Sequence, residues 1–291
     1  MPTPPEPRKN ELHSTYFVQD RRNKEELARV TMQDRMITAS MGGVLPEQTD
    51  PTIFHRVLDV GCGTGGWAIE AARTYPTMSL VGIDISGSMI DYARERAQAE
   101  EVADRVEFHV MDTLRTLEFP PASFDLVNLR LGISFMRTWD WPKLLDEFQQ
   151  VTRPGGIVRI TECDMVTSNS PALTQRESLL LQAFYNAGHF FAPQNDGLTS
   201  ELARLLSTHG LRDVQTHVYP LTYRSGTPEG QLFAGNMQHG FRTLLPFLRK
   251  WTRVPDNYDT LYQQALIEMQ QPDFEATWRF VTAWGSVKAS R

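Results

Sequence analysis

The residues in this sequence best suited to chemistry are three aspartates and a run of glycines. Asp59 precedes a turn in which four of the six positions 61–66 are glycine, Gly61, Gly63, Gly65 and Gly66. Bare backbone can therefore approach a ligand beside a carboxylate. Gly61, Gly63 and Gly66 satisfy G-x-G-x-x-G, a pattern that also serves dinucleotides. Asp59 tells against that use, because a carboxylate repels a pyrophosphate at short range in a low-dielectric cleft and favours a ligand bearing positive charge. Asp84 closes the run LVGID 25 positions after Asp59, and Asp112 follows VEFHVM. A carboxylate at Asp84 is suited to accept both protons of a ribose diol.

Other candidates are single residues. His189 in AGHFF and His239 in NMQHGF, each flanked by small and aromatic residues, are the candidate general bases. Arg130, just past the fourth apolar run, is placed to meet an anionic group. Glu162 and Asp164 end the fifth run on the side where such sheets bind ligands. Cys62 reads as a small filler in the loop. The two cysteines, Cys62 and Cys163, make neither a disulfide framework nor by themselves a zinc site, and no metal is expected.

These residues need a scaffold that the hydrophobic pattern supplies. After a flexible tail at 1–12, a helix is expected over 23–41, with the stripe Leu27, Val30, Ile37 and Met41 and a stop at Gly42 and Gly43. Asp34 falls on that stripe and reads as a helix-edge residue. Short apolar runs at 56–60, 79–83, 106–111, 124–129 and 157–162 alternate with helical segments at 66–74, 87–99 and 142–152. That alternation predicts a parallel sheet covered on both faces. The third helix carries Leu144, Leu145, Phe148 and Val151 and stops at Arg153-Pro154-Gly155-Gly156.

Ser170 caps a helix over 171–187, GLTSELARLLSTHG reads as another helix, LRDVQTHVYPL as a sixth strand, 227–271 as helical and WRFVTAWG as a seventh strand. The expected fold is α/β, a doubly wound, mainly parallel seven-stranded sheet with an N-terminal helix and helical lid insertions. Residues 1–50 would be a tail and capping helix, 51–165 the cofactor-binding core, and 166–291 the rest of the sheet with a helical substrate lid.

The stretch Asp59-Val60-Gly61-Cys62-Gly63-Thr64-Gly65, with Asp84 and Asp112 ending the next two strands, FDLVNLR as the fourth and RPGGIVRI leading into the fifth, resembles class I S-adenosylmethionine-dependent methyltransferases over about residues 53–165. The upstream helix EELARVTMQDRM and the strand end ITECD extend the likeness to methyltransferase-fold regulators of fungal secondary metabolism and related small-molecule methyltransferases. The resemblance implies a Rossmann-like fold and S-adenosyl-L-methionine as cofactor, its carboxylate taking the loop amides. It assigns Asp59, Gly61, Cys62 and Gly63 to the first motif, and Asp84, Ile85 and Met89 to the ribose side. Met111, Asp112 and Thr113 fall at the adenine, Leu129 and Arg130 after the fourth strand, and Tyr16 and Gln33 in the upstream segment.

A small organic acceptor, apolar or aromatic, is the reading implied by the Phe, Tyr, Met and Leu content of the segments around Tyr16, 165–196 and 227–271. The alternatives are a regulatory protein that binds the cofactor without turnover and a nicotinamide-dependent oxidoreductase. A net charge of -6 disfavours a nucleic-acid partner. With no run of eighteen apolar residues and no apolar leader, a cytoplasmic protein without membrane partners is expected. Oligomeric state is not encoded in any pattern of the sequence.

Overall fold

The computed structural model describes residues 16–18, 24–193 and 196–288. The expected tail at 1–12 and the first residue of the expected helix lie outside them. Strands β1 (Arg56–Val60), β2 (Ser79–Asp84), β3 (Val106–Val110), β4 (Phe124–Arg130) and β5 (Thr152–Cys163) pair in parallel in the order β3-β2-β1-β4-β5. Successive residues point to opposite faces. Leu58, Val60, Val81, Ile83, Val127 and Leu129 enter one core, whereas Val57, Leu80 and Leu126 enter a second core with Trp67, Ile69 and Ile90. Each aliphatic side chain so buried contributes about 1.5–3 kcal/mol, which is why these strands read as continuous apolar runs rather than alternating ones. Helices α2 (Gly66–Thr74), α3 (Gly87–Ala99) and α4 (Trp141–Val151) connect them.

At Arg153-Pro154-Gly155-Gly156 the chain does more than stop α4. Thr152 already pairs with Phe124, and the register shifts before Leu126 pairs with Ile157. Gly155 adopts φ +76°. The Pro-Gly-Gly segment is thus a bulge inside β5, the setting in which a sheet tolerates proline.

The other strands are β6 (Thr167–Ser168), β7 (Arg212–Arg224) and β8 (Glu275–Ser286). β8 runs antiparallel between β5 and β7, and the two-residue β6 pairs with β8 beyond the end of β5. The seven expected strands are joined by this short eighth one.

Over the C-terminal ends of the parallel strands lie α1 (Lys24–Ser40), α5 (Pro171–Asn186) and α7 (Pro228–Thr243), backed by α8 (Leu245–Trp251) and α9 (Tyr258–Glu268), whereas α6 (Leu202–Thr208) packs on β7 and β8. Ser170 caps α5 by accepting from the Leu173 amide. α1 packs on α7, and α5 on α8 and α9. The expected stripe holds at Ile37 and Met41, which are buried, and fails in the first half of α1, where Glu26 and Arg29 are buried while Leu27 and Val30 are only half-buried. The charges are accommodated because Arg29 Nε and Nη2 donate to Glu26 at 2.8 and 2.6 Å and the Tyr16 hydroxyl donates to the same carboxylate at 2.6 Å. A paired buried charge is tolerable where a lone one is not. No helix among the described residues is long and apolar enough to cross a membrane.

Candidate active site

β1 and β4 are neighbours although two strands separate them in sequence, so the sheet reverses direction of growth between them and opens a crevice at their C-terminal ends. One cavity begins there and extends beneath α5 and α7. It is lined by Tyr16, Gln33, Asp59, Gly61, Cys62 and Gly63, by Asp84, Ile85 and Met89, and by Asp112, Thr113 and Arg130. Two of the residues expected at the cofactor do not line it. Leu129 is fully buried in the core because its position in β4 points it away from the crevice. Met111 packs against the same core, and only its backbone amide reaches the site's frame, donating to the Asp84 carbonyl at 2.9 Å.

The glycine loop is closed on itself. The Cys62 amide donates to the Ile83 carbonyl at 2.9 Å, the Gly65 amide to the Cys62 carbonyl at 2.9 Å, and the Gly63 amide to Asp84 Oδ2 at 3.1 Å. The Ser86 amide holds Asp84 Oδ1 at 2.8 Å. A pyrophosphate loop binds through just such amides, and here those of Cys62, Gly63 and Gly65 are engaged within the protein. This argues against a dinucleotide more directly than Asp59 does. A ligand's carboxylate that takes the loop amides would share the Gly63 amide with Asp84. The two amides fix the orientation of Asp84, and a carboxylate oxygen accepts more than one hydrogen bond, so the ribose role fits.

Asp59 belongs to a buried polar row across the sheet. In register, Asp59 neighbours Asn128 and Asn128 neighbours Arg159. Asn128 Nδ2 donates to Asp59 Oδ1 at 2.8 Å, and Arg159 Nη1 donates to Asn128 Oδ1 at 2.7 Å. Arg159 Nε and Nη2 then meet the two oxygens of Glu47 at 2.7 and 3.0 Å. Burial pushes Asp59 up to about 7, with the Asn128 hydrogen bond and the Arg159 charge opposing it. Asp59 is therefore not a full negative charge at neutral pH, and the electrostatic argument drawn from it in the sequence is weaker than it looked.

Glu162 behaves similarly. Burial pushes it up to about 8 against the opposing amides of Ile133 and Gly132, and its Oε1 accepts from Ile133 N at 3.2 Å. It does not line the cavity, contrary to expectation, whereas Asp164 does. Both raised acids bind a proton more tightly folded than unfolded, so their stabilisation is present at low pH and is lost as pH rises through the folded value. Thermal melts of the ligand-free protein should show these two groups lowering stability between about pH 4 and pH 8, and Asp59→Asn and Glu162→Gln should each flatten part of that slope. An unchanged slope in both variants would refute the assignment.

Neither histidine lines the cavity. His189 is fully buried, its Nδ1 hydrogen-bonded to the Met136 carbonyl at 2.7 Å and its Nε2 to Arg137. Burial and the Arg137 charge push it down to about 3, so it stays neutral with both ring nitrogens engaged. His239 lies on α7, one residue from the lining Gly240, but is not itself part of the lining. The general-base roles expected from sequence therefore have no geometric support.

Arg130 does line the cavity, yet its guanidinium pairs with Asp34 and donates to Thr38 Oγ1 at 2.9 Å. A Cβ on Gly66 would overlap that Asp34 carboxylate. Asp34 itself lines the cavity, and its place on an apolar stripe was the sequence signal for it. The far end of the cavity, with Arg176, Leu180, Phe184, Asn236 and Met237, falls in the segments 165–196 and 227–271 expected to build the acceptor pocket; Trp278 on β8 and the polar character of Arg176 and Asn236 carried no such signal, since that wall forms only when α5, α7 and β8 come together.

Residues 57–156 match the family described as a methyltransferase domain. Demethylmenaquinone methyltransferase of Deinococcus radiodurans is 39% identical over 107 residues, 37% of this chain and 42% of that protein. The chain spans less than half the length of this relative and of a ubiquinone/menaquinone biosynthesis C-methyltransferase of Geotalea daltonii, at 42% and 45%. The 27-O-demethylrifamycin SV methyltransferase of Amycolatopsis mediterranei is 27% identical over 270 residues, 91% of this chain and 81% of that one. Among solved structures, phosphoethanolamine N-methyltransferase 2 of Haemonchus contortus superposes with a TM-score of 0.58 at 21% identity over 96% of this chain and 61% of that chain. A 4+2 cyclase superposes at 0.51 and 20% identity over 96% and 89%. With this strand order and this crevice, the chain has the fold of class I S-adenosylmethionine-dependent methyltransferases, and residues 57–156 are the part that matches the methyltransferase domain family.

Proposed function

We propose that the protein transfers a methyl group from S-adenosyl-L-methionine to a small acceptor that is apolar or aromatic over much of its surface. The observation that carries this reading is the continuity of one cavity, from the Gly63, Asp84 and Asp112 end to a chamber walled by Leu180, Phe184, Met237, Leu244, Trp278 and Phe280. S-adenosylmethionine, when bound, supplies an electrophilic methyl on a sulfonium. The protein's own part is positioning and exclusion of water. Asp84 suits the ribose diol, Asp112 the adenine end, and Ile85, Met89 and Leu114 offer apolar surface between them. Phe17 and Phe135 also wall the cavity, and the Phe17 amide is tied to the Ser134 carbonyl at 3.0 Å, which holds residues 16–18 at the site.

The absence of both histidines from the cavity lining favours an acceptor that needs no histidine base. It also gives weight to a second reading, cofactor binding without turnover. Incubation with methyl-labelled S-adenosylmethionine and fractionated small metabolites separates the two. Label in an acceptor supports transfer, whereas tight S-adenosylhomocysteine binding with no labelled product supports the second. A nicotinamide oxidoreductase is the least supported reading, and thermal stabilisation by NAD rather than S-adenosylhomocysteine would restore it. The acceptor's place in secondary metabolism and a cytoplasmic location belong to the same proposal, the first supported by the likeness to a demethylrifamycin methyltransferase across most of the chain.

Two variants test the site. Asp84→Ala should weaken S-adenosylhomocysteine affinity by about 1–3 kcal/mol in calorimetry, the usual loss for charged hydrogen bonds; unchanged affinity removes Asp84 from the ribose role. His239→Ala should leave the single-turnover rate within about twofold, as expected for a residue that meets no reacting atom. A larger fall would reinstate it as a base.

A further inference from the structure

At the end of the cavity away from the glycine loop, the otherwise apolar wall made by α5 and α7 carries three buried polar side chains. Arg176 and Glu177 sit on α5 among Leu173, Leu180 and Ala183, and Asn236 sits on α7 beside Met237. All three line the cavity and are only 3%, 6% and 2% exposed. Arg176 and Glu177 neutralise each other, since Arg176 Nη1 donates to Glu177 Oε1. Glu177 Oε2 also accepts from the Val166 amide at 3.3 Å. The guanidinium lies over the Phe241 ring at 5.3 Å, with Nη1 4.0 Å from the Met237 sulfur. A Cβ on Gly240 would stand 3.0 Å from Nη2. Asn236 and Gly240 are four residues apart on one helix and so share a face, which puts Arg176 and Asn236 on the same wall.

Two atoms of this wall are buried without a hydrogen-bond partner among the described residues, Nε of Arg176 and Oδ1 of Asn236. One is a donor and the other an acceptor. A carboxylate would answer the arginine but face Glu177 and the Asn236 oxygen. An ammonium would answer Asn236 but leave the arginine N–H unmet beside its own like charge. A hydroxyl is the neutral group that can both accept from an N–H and donate to a carbonyl oxygen. We propose that the methyl acceptor is a neutral molecule with a hydroxyl on an apolar or aromatic frame, anchored by Arg176 and Asn236.

This inference rests on the cavity being the acceptor chamber, and it makes Arg176 and Asn236 determinants of specificity. A site built to pair a hydroxyl discriminates strongly against an analogue lacking it. The test uses the full chain saturated with S-adenosylhomocysteine and four probes of similar frame: naphthol, naphthalene, naphthoate and naphthylmethylamine. Naphthol should bind at least about tenfold more tightly than each of the others by calorimetry or ligand-observed NMR, the factor expected when a hydrogen-bonding pair goes unmet. Asn236→Leu, which keeps the volume, should bring naphthol within about twofold of naphthalene.

Tightest binding of naphthoate or naphthylmethylamine, or no preference for naphthol, overturns the proposal, and so does a preference that survives in Asn236→Leu. The ranking in the unmodified protein stands without any variant, so a misfolded variant does not rescue the idea. S-adenosylhomocysteine affinity is read in the same experiment. If it is absent, the methyltransfer reading itself fails; if it is present and the ranking is wrong, only this inference does.

Discussion

Glu47→Ala should destabilise the protein by about 3–5 kcal/mol, the cost of leaving one member of a buried ion pair without its partner. Glu47 and Arg159 have side chains 0% and 1% exposed and make two hydrogen bonds to each other. Burial alone would raise the Glu47 carboxyl, but the Arg159 charge and hydrogen bonds hold it below the ordinary carboxylate range. Without Glu47, Arg159 would keep its hydrogen bond to Asn128 and face the Trp67 ring at 6.0 Å, neither of which replaces a carboxylate. Because Asn128 also holds Asp59, the damage should reach the cofactor end of the cavity through the same row. Urea unfolding monitored by circular dichroism measures the loss. Glu47→Gln, which keeps an acceptor, should lose less, and the double variant Glu47→Leu with Arg159→Met should recover much of the deficit, since well-packed apolar side chains often replace a buried pair at little cost. A single-variant loss below about 1 kcal/mol would mean that the pair is solvated and the row carries little stability.

The contrast between what could and could not be read from the chain follows from the range of the interactions. The strand ends at Asp59, Asp84 and Asp112 sit in local patterns in which an apolar run, an acid and a turn are contiguous, and twelve residues assigned from those patterns and the upstream segment line one cavity. The same locality explains the correct capping of α5 by Ser170. Leu129 was misassigned because the alternation of a strand decides which face a residue meets, and a motif marks both faces alike. The histidines failed for a different reason. Whether an imidazole is a base depends on what its nitrogens meet, and those partners for His189, Met136 and Arg137, lie 53 and 52 residues away. The buried face of α1 was misread because apolar periodicity assumes that charges stay outside, and the Glu26 and Arg29 pair with Tyr16 makes burial tolerable. Asp34 was legible as an anomaly and not as a function, since its partner Arg130 is on another element altogether.

Gly63→Val should abolish detectable S-adenosylhomocysteine binding while leaving a folded protein. Gly63 has φ +52°, a left-handed conformation that a β-branched residue adopts only under strain. Its Cβ would stand 3.4 Å from Val30 Cγ1 on α1, so the first contact is ordinary and the branching methyl groups create the conflict. Besides closing the bare-backbone approach to a ligand, the added side chain would press α1 away from the loop. The consequence reaches Asp84, because the Gly63 amide that would move is one of the two that orient its carboxylate. Strain, displacement of α1 and loss of Asp84 geometry all act at the cofactor end, whereas the cores on either face of the sheet contain no atom of Gly63. Gly63→Ala separates the causes, since it carries the backbone strain of about 1–2 kcal/mol without the branch and should weaken binding only partly. Calorimetry with S-adenosylhomocysteine reads both variants, and circular dichroism checks that each is folded. Binding of Gly63→Val within about threefold of the unmodified protein would contradict the placement of the cofactor against this loop.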